Sequence, residues 1–320
     1  MKTLLAALLA LMAGAAAAQA YPSKPIRVIV GFPPGGGTDI VARLIGQKLT
    51  ESWGQQVIVD NRPGATGMIG AQAIAKAPPD GYTLGIGHVN SQAIAPSIAV
   101  KPLYDPIADF SPIAYVGYVP NVLVVHPSTP AKSVKELIAL AKARPGQITF
   151  ASPGVGSTNH LAGEMLRLGG GIDIVHVPYK GSAPAIADLL GGHVVMNYDA
   201  MSSVVTYIKE GRMRPLAVTT PQRDPQLPNV PTMRETLPVF KDFEVTNWYS
   251  IVGPAGLPKD LVTKLNAEVN RIVALKDVSA KLDELGVRRN PMTPEKFGEF
   301  IKGENAKYRK IAKESGVRME

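Results

Sequence analysis

The sequence predicts an α/β protein built from two units with mainly parallel sheets. Short β-branched runs alternate with stretches of helical apolar spacing almost to the C-terminus. A loop of small residues follows a strand and opens a helix twice, once in each half of the chain. Of the 320 residues, 300 remain after an N-terminal leader, enough for two domains of ordinary size.

Residues 1–20 read as an export signal. Lys2 supplies the positive end, residues 4–12 the apolar core, and Ala18-Gln19-Ala20 the small-x-small cleavage site. Cleavage after Ala20 starts the mature chain at Tyr21 and delivers it to the periplasm. The sequence contains no cysteine, which removes disulfides, thiolate metal sites and a cysteine nucleophile. Without Lys2 the charges are 33 Lys+Arg against 26 Asp+Glu, a net of +7. They are dispersed, and the most basic stretch, 296–313, is interleaved with glutamates like a solvated helix face. No nucleic-acid partner is expected.

The first strand is Ile26, Val28, Ile29 and Val30, and the helix after it carries Ile40, Val41, Leu44, Ile45 and Leu49. Between them stand Phe32, Pro33, Pro34, Gly35, Gly36, Gly37 and Thr38, with Asp39 opening the helix. Three readings compete. A P-loop fits at Gly31, Gly36 and Thr38, but Gly37 stands where its lysine belongs. A dinucleotide fingerprint is broken by the prolines, although Asp60 imitates its ribose-binding acid. An anion site on free amides at a helix start competes with a plain tight turn.

A second strand at 57–59 leads into Arg62, Pro63, Gly64, Ala65 and a helix over 69–76. A third strand at 82–87 ends in His88, Val89, Asn90 and Ser91, and a fourth spans 113–118. Pro120 then marks a break before the run 122–125, where a second α/β unit begins. Ser133 caps a helix, and a strand at 148–151 feeds the second small-residue loop, with Gly156, Ser157, Thr158, Asn159 and His160. A strand at 174–177 ends near Tyr179, Lys180 and Ser182, and another at 193–198 ends at Asp199. Residues 220–238 read as a long proline-rich connection, followed by a strand at 248–252 and three closing helices. In open α/β sheets ligands bind beyond the carboxyl ends of strands, where these residues gather. Two such units suggest a ligand clamped between hinged lobes.

Several motifs resemble one family throughout its length: Tyr21-Pro22-Ser23-Lys24-Pro25-Ile26, the 31–39 loop, Asn61-Arg62-Pro63-Gly64-Ala65 and Pro79-Asp80-Gly81-Tyr82-Thr83-Leu84. Pro130-Ala131-Lys132-Ser133, His176-Val177-Pro178-Tyr179-Lys180-Gly181 and Leu189-Leu190-Gly191-Gly192 follow in the same order. The sequence resembles the Bug-type periplasmic solute receptors of tripartite tricarboxylate transporters. The resemblance implies a type II periplasmic-binding-protein fold with two crossing strands. Its domains would be 21–119 plus 247–320, and 120–246. It further implies a receptor that closes on a small carboxylate and passes it to membrane transporter subunits. A monomer without cofactor is expected, and no metal, since His88, His126, His160, His176 and His193 share no ligand spacing and the carboxylates lack an EF-hand frame. One ligand carboxylate would lie between the Phe32 to Asp39 loop and the Gly156 to His160 helix start, partly through water, with Ala65 and Asp199 lining the cleft. His88, Asn90 and the Met196-Asn197-Tyr198-Asp199 segment depart from the family pattern. They would face the distal end of the ligand, leaving a dicarboxylate, a tricarboxylate, an amino acid or an aromatic acid open. Ligand sensing without transport is the alternative role.

An enzyme reading can be assembled from Ser157, His160 and Asp199 as nucleophile, base and orienter. The nucleophile elbow G-x-S-x-G is absent, and Ser157 reads more simply as an N-cap.

Overall fold

The computed structural model describes residues 21–319; the expected export signal lies outside the described residues. Strand β1 (Ile26–Val30) is followed by helix α1 (Gly37–Trp53), which ends on Gly54 in the left-handed conformation that glycine tolerates. Next come β2 (Val57–Asn61), α2 (Met68–Ala75) and β3 (Thr83–His88). A π-helical turn (Asn90–Ile94) runs into the short helix α3 (Ala95–Ile98). Strand β4 (Phe110–Val125) then crosses the molecule.

The second half continues with α4 (Val134–Ala143), β5 (Ile148–Ser152), α5 (Thr158–Gly170), β6 (Ile174–Pro178) and α6 (Ser182–Leu190). Then follow β7 (Met196–Ala200), α7 (Met201–Lys209), β8 (Arg214–Val218) and α8 (Met233–Thr236). Strand β9 (Thr246–Pro254) returns, and α9 (Lys259–Val273), α10 (Lys276–Glu284), β10 (Arg288–Arg289) and α11 (Pro294–Ser315) close the chain. Ser133 and Ser157 both cap as their chemistry predicts, accepting from the amides of Glu136 and His160.

The strands form one curled sheet in the order β2-β1-β3-β9-β4-β7-β5-β6, with β8 and β10 also on β4. Pairs β1/β2, β1/β3, β5/β6 and β5/β7 are parallel. The centre is antiparallel, because β4 and β9 carry the chain across in opposite directions. The expected mainly parallel sheet is therefore confined to the flanks. Apolar periodicity reports burial, not strand direction.

Two further expectations are corrected. Pro120 does not end a strand: β4 runs through it, changing partner from β9 at Pro120 to β7 at Asn121. At such a change of partner a missing N–H interrupts no continuous ladder. The 220–238 connection is also more ordered than its composition suggests. Thr232 and Glu235 close a reciprocal capping box around α8. Asp224, almost fully buried, takes a two-pronged contact from Arg288 at 2.8–3.1 Å.

Core side chains form distinct groups. One gathers Ile26, Val28, Ile45, Leu84, Leu265 and Val269, and a neighbouring one centres on Trp248, Phe297 and Tyr308. Others gather Leu123, Phe150, Leu166 and Tyr198, or Val122, Val124, Leu189 and Val204. Trp248 is completely buried and donates its indole N–H to Glu304 at 2.9 Å, so it is a packing residue.

Candidate functional site

The first loop leaves β1 and enters α1. Asp39, in the first turn of α1, organises it: its carboxylate accepts from the Gly35 amide, Arg43 Nε and Asn61 Nδ2, each at 2.9 Å. Asn61 also donates to the Phe32 carbonyl at 3.1 Å, tying the loop to the end of β2. Chiefly because of Arg43, the Asp39 carboxyl is held well below its ordinary range, at about 2. The Gly35 amide is thus spent inside the loop, and Asp39 faces its own scaffold. The amides of Gly36, Gly37 and Thr38 have no hydrogen-bond partner among the described residues. They are the donors left for an anion.

The turn after β2 packs under this loop. Ala65 and Thr66 both take positive φ (45° and 56°), which non-glycine residues rarely adopt. A Cβ on Gly31 would lie 2.6 Å from the Gly67 carbonyl oxygen, and one on Gly70 would lie 2.5 Å from Gly31 Cα. Only hydrogens at both positions allow this approach. Ala65 itself is exposed. The His88 ring stands at the end of β3 between Phe32 and Tyr249, with centroids at 5.1 and 5.4 Å. Its Nδ1 accepts from the Asn90 amide at 3.2 Å, and burial lowers its pKa to about 3. The half-buried Asn90 carries an unpaired Oδ1. Tyr249, whose hydroxyl lies 2.8 Å from where a Gly37 Cβ would be, belongs to the same wall.

The second loop is braced in a similar way. The Gly156 amide donates to His160 Nδ1 at 3.2 Å, and the Ser157 amide to the Gly154 carbonyl at 3.2 Å. The Ser157 hydroxyl donates to the same carbonyl at 2.8 Å. Among the described residues the amides of Thr158 and Asn159, the first residues of α5, have no hydrogen-bond partner. Their side chains tie α5 to other strands: Thr158 donates to Asn247 Oδ1 at 2.9 Å, and Asn159 to the Tyr198 carbonyl. Asn247 in turn donates to Asn121 at 2.9 Å, so both crossing strands meet this helix start.

His160 is buried and stacked on His176, with ring centroids 3.8 Å apart. It supports the loop through Nδ1 and a face stacked on His176, as a first-turn packing residue does; with Nδ1 accepting, the neutral ring carries its proton on Nε2, 3.9 Å from Glu164 Oε1. Ser157, His160 and Asp199 are not arranged as nucleophile, base and orienter, since the hydroxyl points to Gly154 and the ring to Gly156. Tyr179 and Lys180 flank this loop, the Tyr179 amide donating to the Ser152 carbonyl at 2.9 Å. The Tyr179 hydroxyl turns away to Asp188 at 2.6 Å, and Lys180 is exposed.

Asp199 lies at the end of β7, 1% exposed, and accepts from the Ala200 amide at 2.8 Å and Asn197 Nδ2 at 3.0 Å. Burial without a cation raises its pKa from 3.8 to about 6, against the pull of these donors. The folded state therefore holds this proton more tightly than the unfolded chain does. Stability from Asp199 is present below pH 4, falls as pH rises through 6, and stays lost above it. His88, His160 and His176, lowered by burial to about 3, 3 and 4, act oppositely, losing stability as pH falls below 6.5. Asp199→Asn separates the two. Relative to wild type the variant should gain about 2–3 kcal/mol between pH 4 and pH 7. Urea titrations at both pH values measure this, and a constant difference would show that Asp199 does not titrate there.

Sequence reasoning placed the two loops but missed Arg43, Asn61, Asn121, Asn247 and Tyr249. Asn61 was within reach, since it opens the Asn61-Arg62-Pro63-Gly64-Ala65 motif. The others sit in ordinary helical or strand pattern.

Residues 41–317 match the family described as the tripartite tricarboxylate transporter family receptor. Among solved structures, the R. palustris protein Rpa4515 with adipate superposes with a TM-score of 0.80 at 36% identity, covering 93% of this chain and 99% of that one. The periplasmic binding protein BugD gives 0.77 at 34%, covering 94% and 100%. MatC from Rhodopseudomonas palustris with bound malate gives 0.75 at 30%, covering 91% and 99%.

Proposed function

The chain belongs to the tripartite tricarboxylate transporter receptor family, and on that footing we propose that it captures a small dicarboxylate between its two loops for delivery to a membrane transporter. The observation that carries this is the pair of helix starts, α1 and α5. Each presents amides without protein partners, and each is braced by a side chain that consumes the neighbouring amide. Adipate and malate, bound by two similar proteins, set the ligand class. Backbone donors and water would hold one carboxylate, and the wall of His88, Asn90 and Tyr249 would meet the far end. We further propose domains of 21–119 plus 247–320 and of 120–246. Most core groups draw on one side only, although Leu161 joins the Trp248 group, and the passage of only β4 and β9 between the sides supports that division. Export with cleavage after Ala20, and a monomeric state, complete the proposal. Among the described residues no helix is long and apolar enough to cross a membrane.

The test is a thermal-shift panel of adipate, malate and related acids, each beside its diamide. A ligand at a hundredfold over its dissociation constant should add about 2.7 kcal/mol, or about 4–5 °C. The diamide should lose most of that, because hydrogen bonds to a charged group contribute about 1.5–3 kcal/mol each. Equal shifts for acid and diamide, or none for any acid, would overturn the assignment.

A further inference from the structure

Helix α11 and the segment 96–112 enclose a groove whose lining includes no residue of either loop. Three hollows of about 390, 300 and 290 Å³ lie along it. Arg309 lines the first and second and Pro106 the second and third, so they join in line. From Pro294 to Lys313 the helical wall is about 28 Å long, which accommodates roughly eight extended residues.

Its character changes along this length. At one end stand Arg309, Lys313 and Arg318, all exposed and none in an ion pair among the described residues. Elsewhere on α11, Lys302 pairs with Glu299, Lys307 with Glu304 and Lys310 with Glu314, while Lys296 has no ion pair among the described residues. Arg309 and Lys313 are also four apart on one helix, an arrangement that repels unless an anion separates the charges. Beside them the segment exposes Val100 (61%), Leu103 (41%) and Ile107 (40%). Apolar side chains next to arginines are the composition of a protein interface.

We propose that this groove docks an extended segment of the transporter's membrane component, apolar along its length and carboxylate-bearing at one end. The inference rests on the receptor role above. A flat anionic lipid surface fits less well, because Asp105 lines the second hollow beside Arg309, Glu295 and Glu299 line the third, and all three would oppose it. The wall is firm: Asn305 bonds the Gln92 carbonyl at 2.8 Å, and Trp248 bonds Glu304. It also reaches the ligand loops. A Cβ on Gly156 would lie 2.5 Å from Ile98 Cδ1, and Met319, bonded to Ile98 and Val100, accepts from the Thr66 hydroxyl. A segment docked against Ile98 would therefore register the position of the second loop.

The probe is a fluorescein-labelled decapeptide of alternating Leu and Ser with Glu replacing three serines at one end, titrated against the mature chain by anisotropy. A matched peptide with Lys in place of Glu and phosphatidylglycerol vesicles are the controls. The acidic peptide should bind, the Lys peptide should bind at least tenfold more weakly, and Arg309→Glu with Lys313→Glu should cost at least tenfold. Val100→Asp and Lys313→Glu alone should each weaken binding, covering a misfolded double variant. The adipate melting shift should persist in every folded variant, so failure of the ligand assignment and failure of the docking assignment are read separately. No binding of the acidic peptide, equal binding by wild type and the charge-reversed variant, or binding to vesicles alone would overturn the proposal.

Discussion

Gly36→Val is expected to abolish the melting shift produced by a dicarboxylate while leaving the unliganded protein folded. Gly36 caps α1 with φ −79° and ψ 166°, extended backbone that valine adopts readily. A Cβ there would meet nothing closer than the Pro33 carbonyl oxygen at 3.8 Å. The unliganded protein should therefore lose no more than about 1 kcal/mol, the cost of a poorer cap. The ligand, in contrast, must come within hydrogen-bond distance of the 36–38 amides, where the isopropyl group would stand. A hundredfold loss of affinity corresponds to about 2.7 kcal/mol, enough to erase the shift. Gly37 is a poorer probe, because its Cβ would lie 2.8 Å from the Tyr249 hydroxyl and mix binding with packing. A shift that survives in Gly36→Val would move the anion site away from this loop.

Gly70→Ala should destabilise the protein by about 3 kcal/mol or more, although alanine favours helices by about 1 kcal/mol over glycine. The new methyl would sit 2.5 Å from Gly31 Cα and 3.0 Å from its nitrogen. Both are backbone atoms at the exit of β1, so no rotamer change relieves the clash. Either α2 or the first loop must move, and ligand affinity should fall with stability. Urea unfolding gives the first quantity and adipate titration of the surviving folded protein the second. A variant as stable as wild type, or more so, would contradict the close approach of α2 and β1.

Much of the fold was legible in the residues. Spacing marked most strands and helices but passed over α7, β8, α8 and β10, since periodicities of 2 and 3.6 are local properties that need a clear run to show. Ser133 and Ser157 were readable as caps because a cap bonds within three residues. The two small-residue loops were readable as turns between a strand and a helix start, since each follows a β-branched run and precedes helical spacing. Short helices and strand direction were less legible. The capping box at Thr232 lay inside a stretch whose prolines masked it, and no pattern in β4 said which neighbour it would meet.

The sequence by itself determined where strand ends turn into helix starts, and that these turns carry glycine, proline and hydroxyl side chains. It also determined that no cysteine chemistry is available. Only the tertiary structure decided which amides are free: Asp39 takes that of Gly35, His160 that of Gly156, and the Gly154 carbonyl that of Ser157. It alone buried Asp199 away from any cation and brought Asn121 and Asn247 together, 126 positions apart, beside Thr158. The physical reason is range. Propensity and capping act over a few residues, whereas the partner of a buried donor or carboxylate is set by which distant strands and helices pack around it.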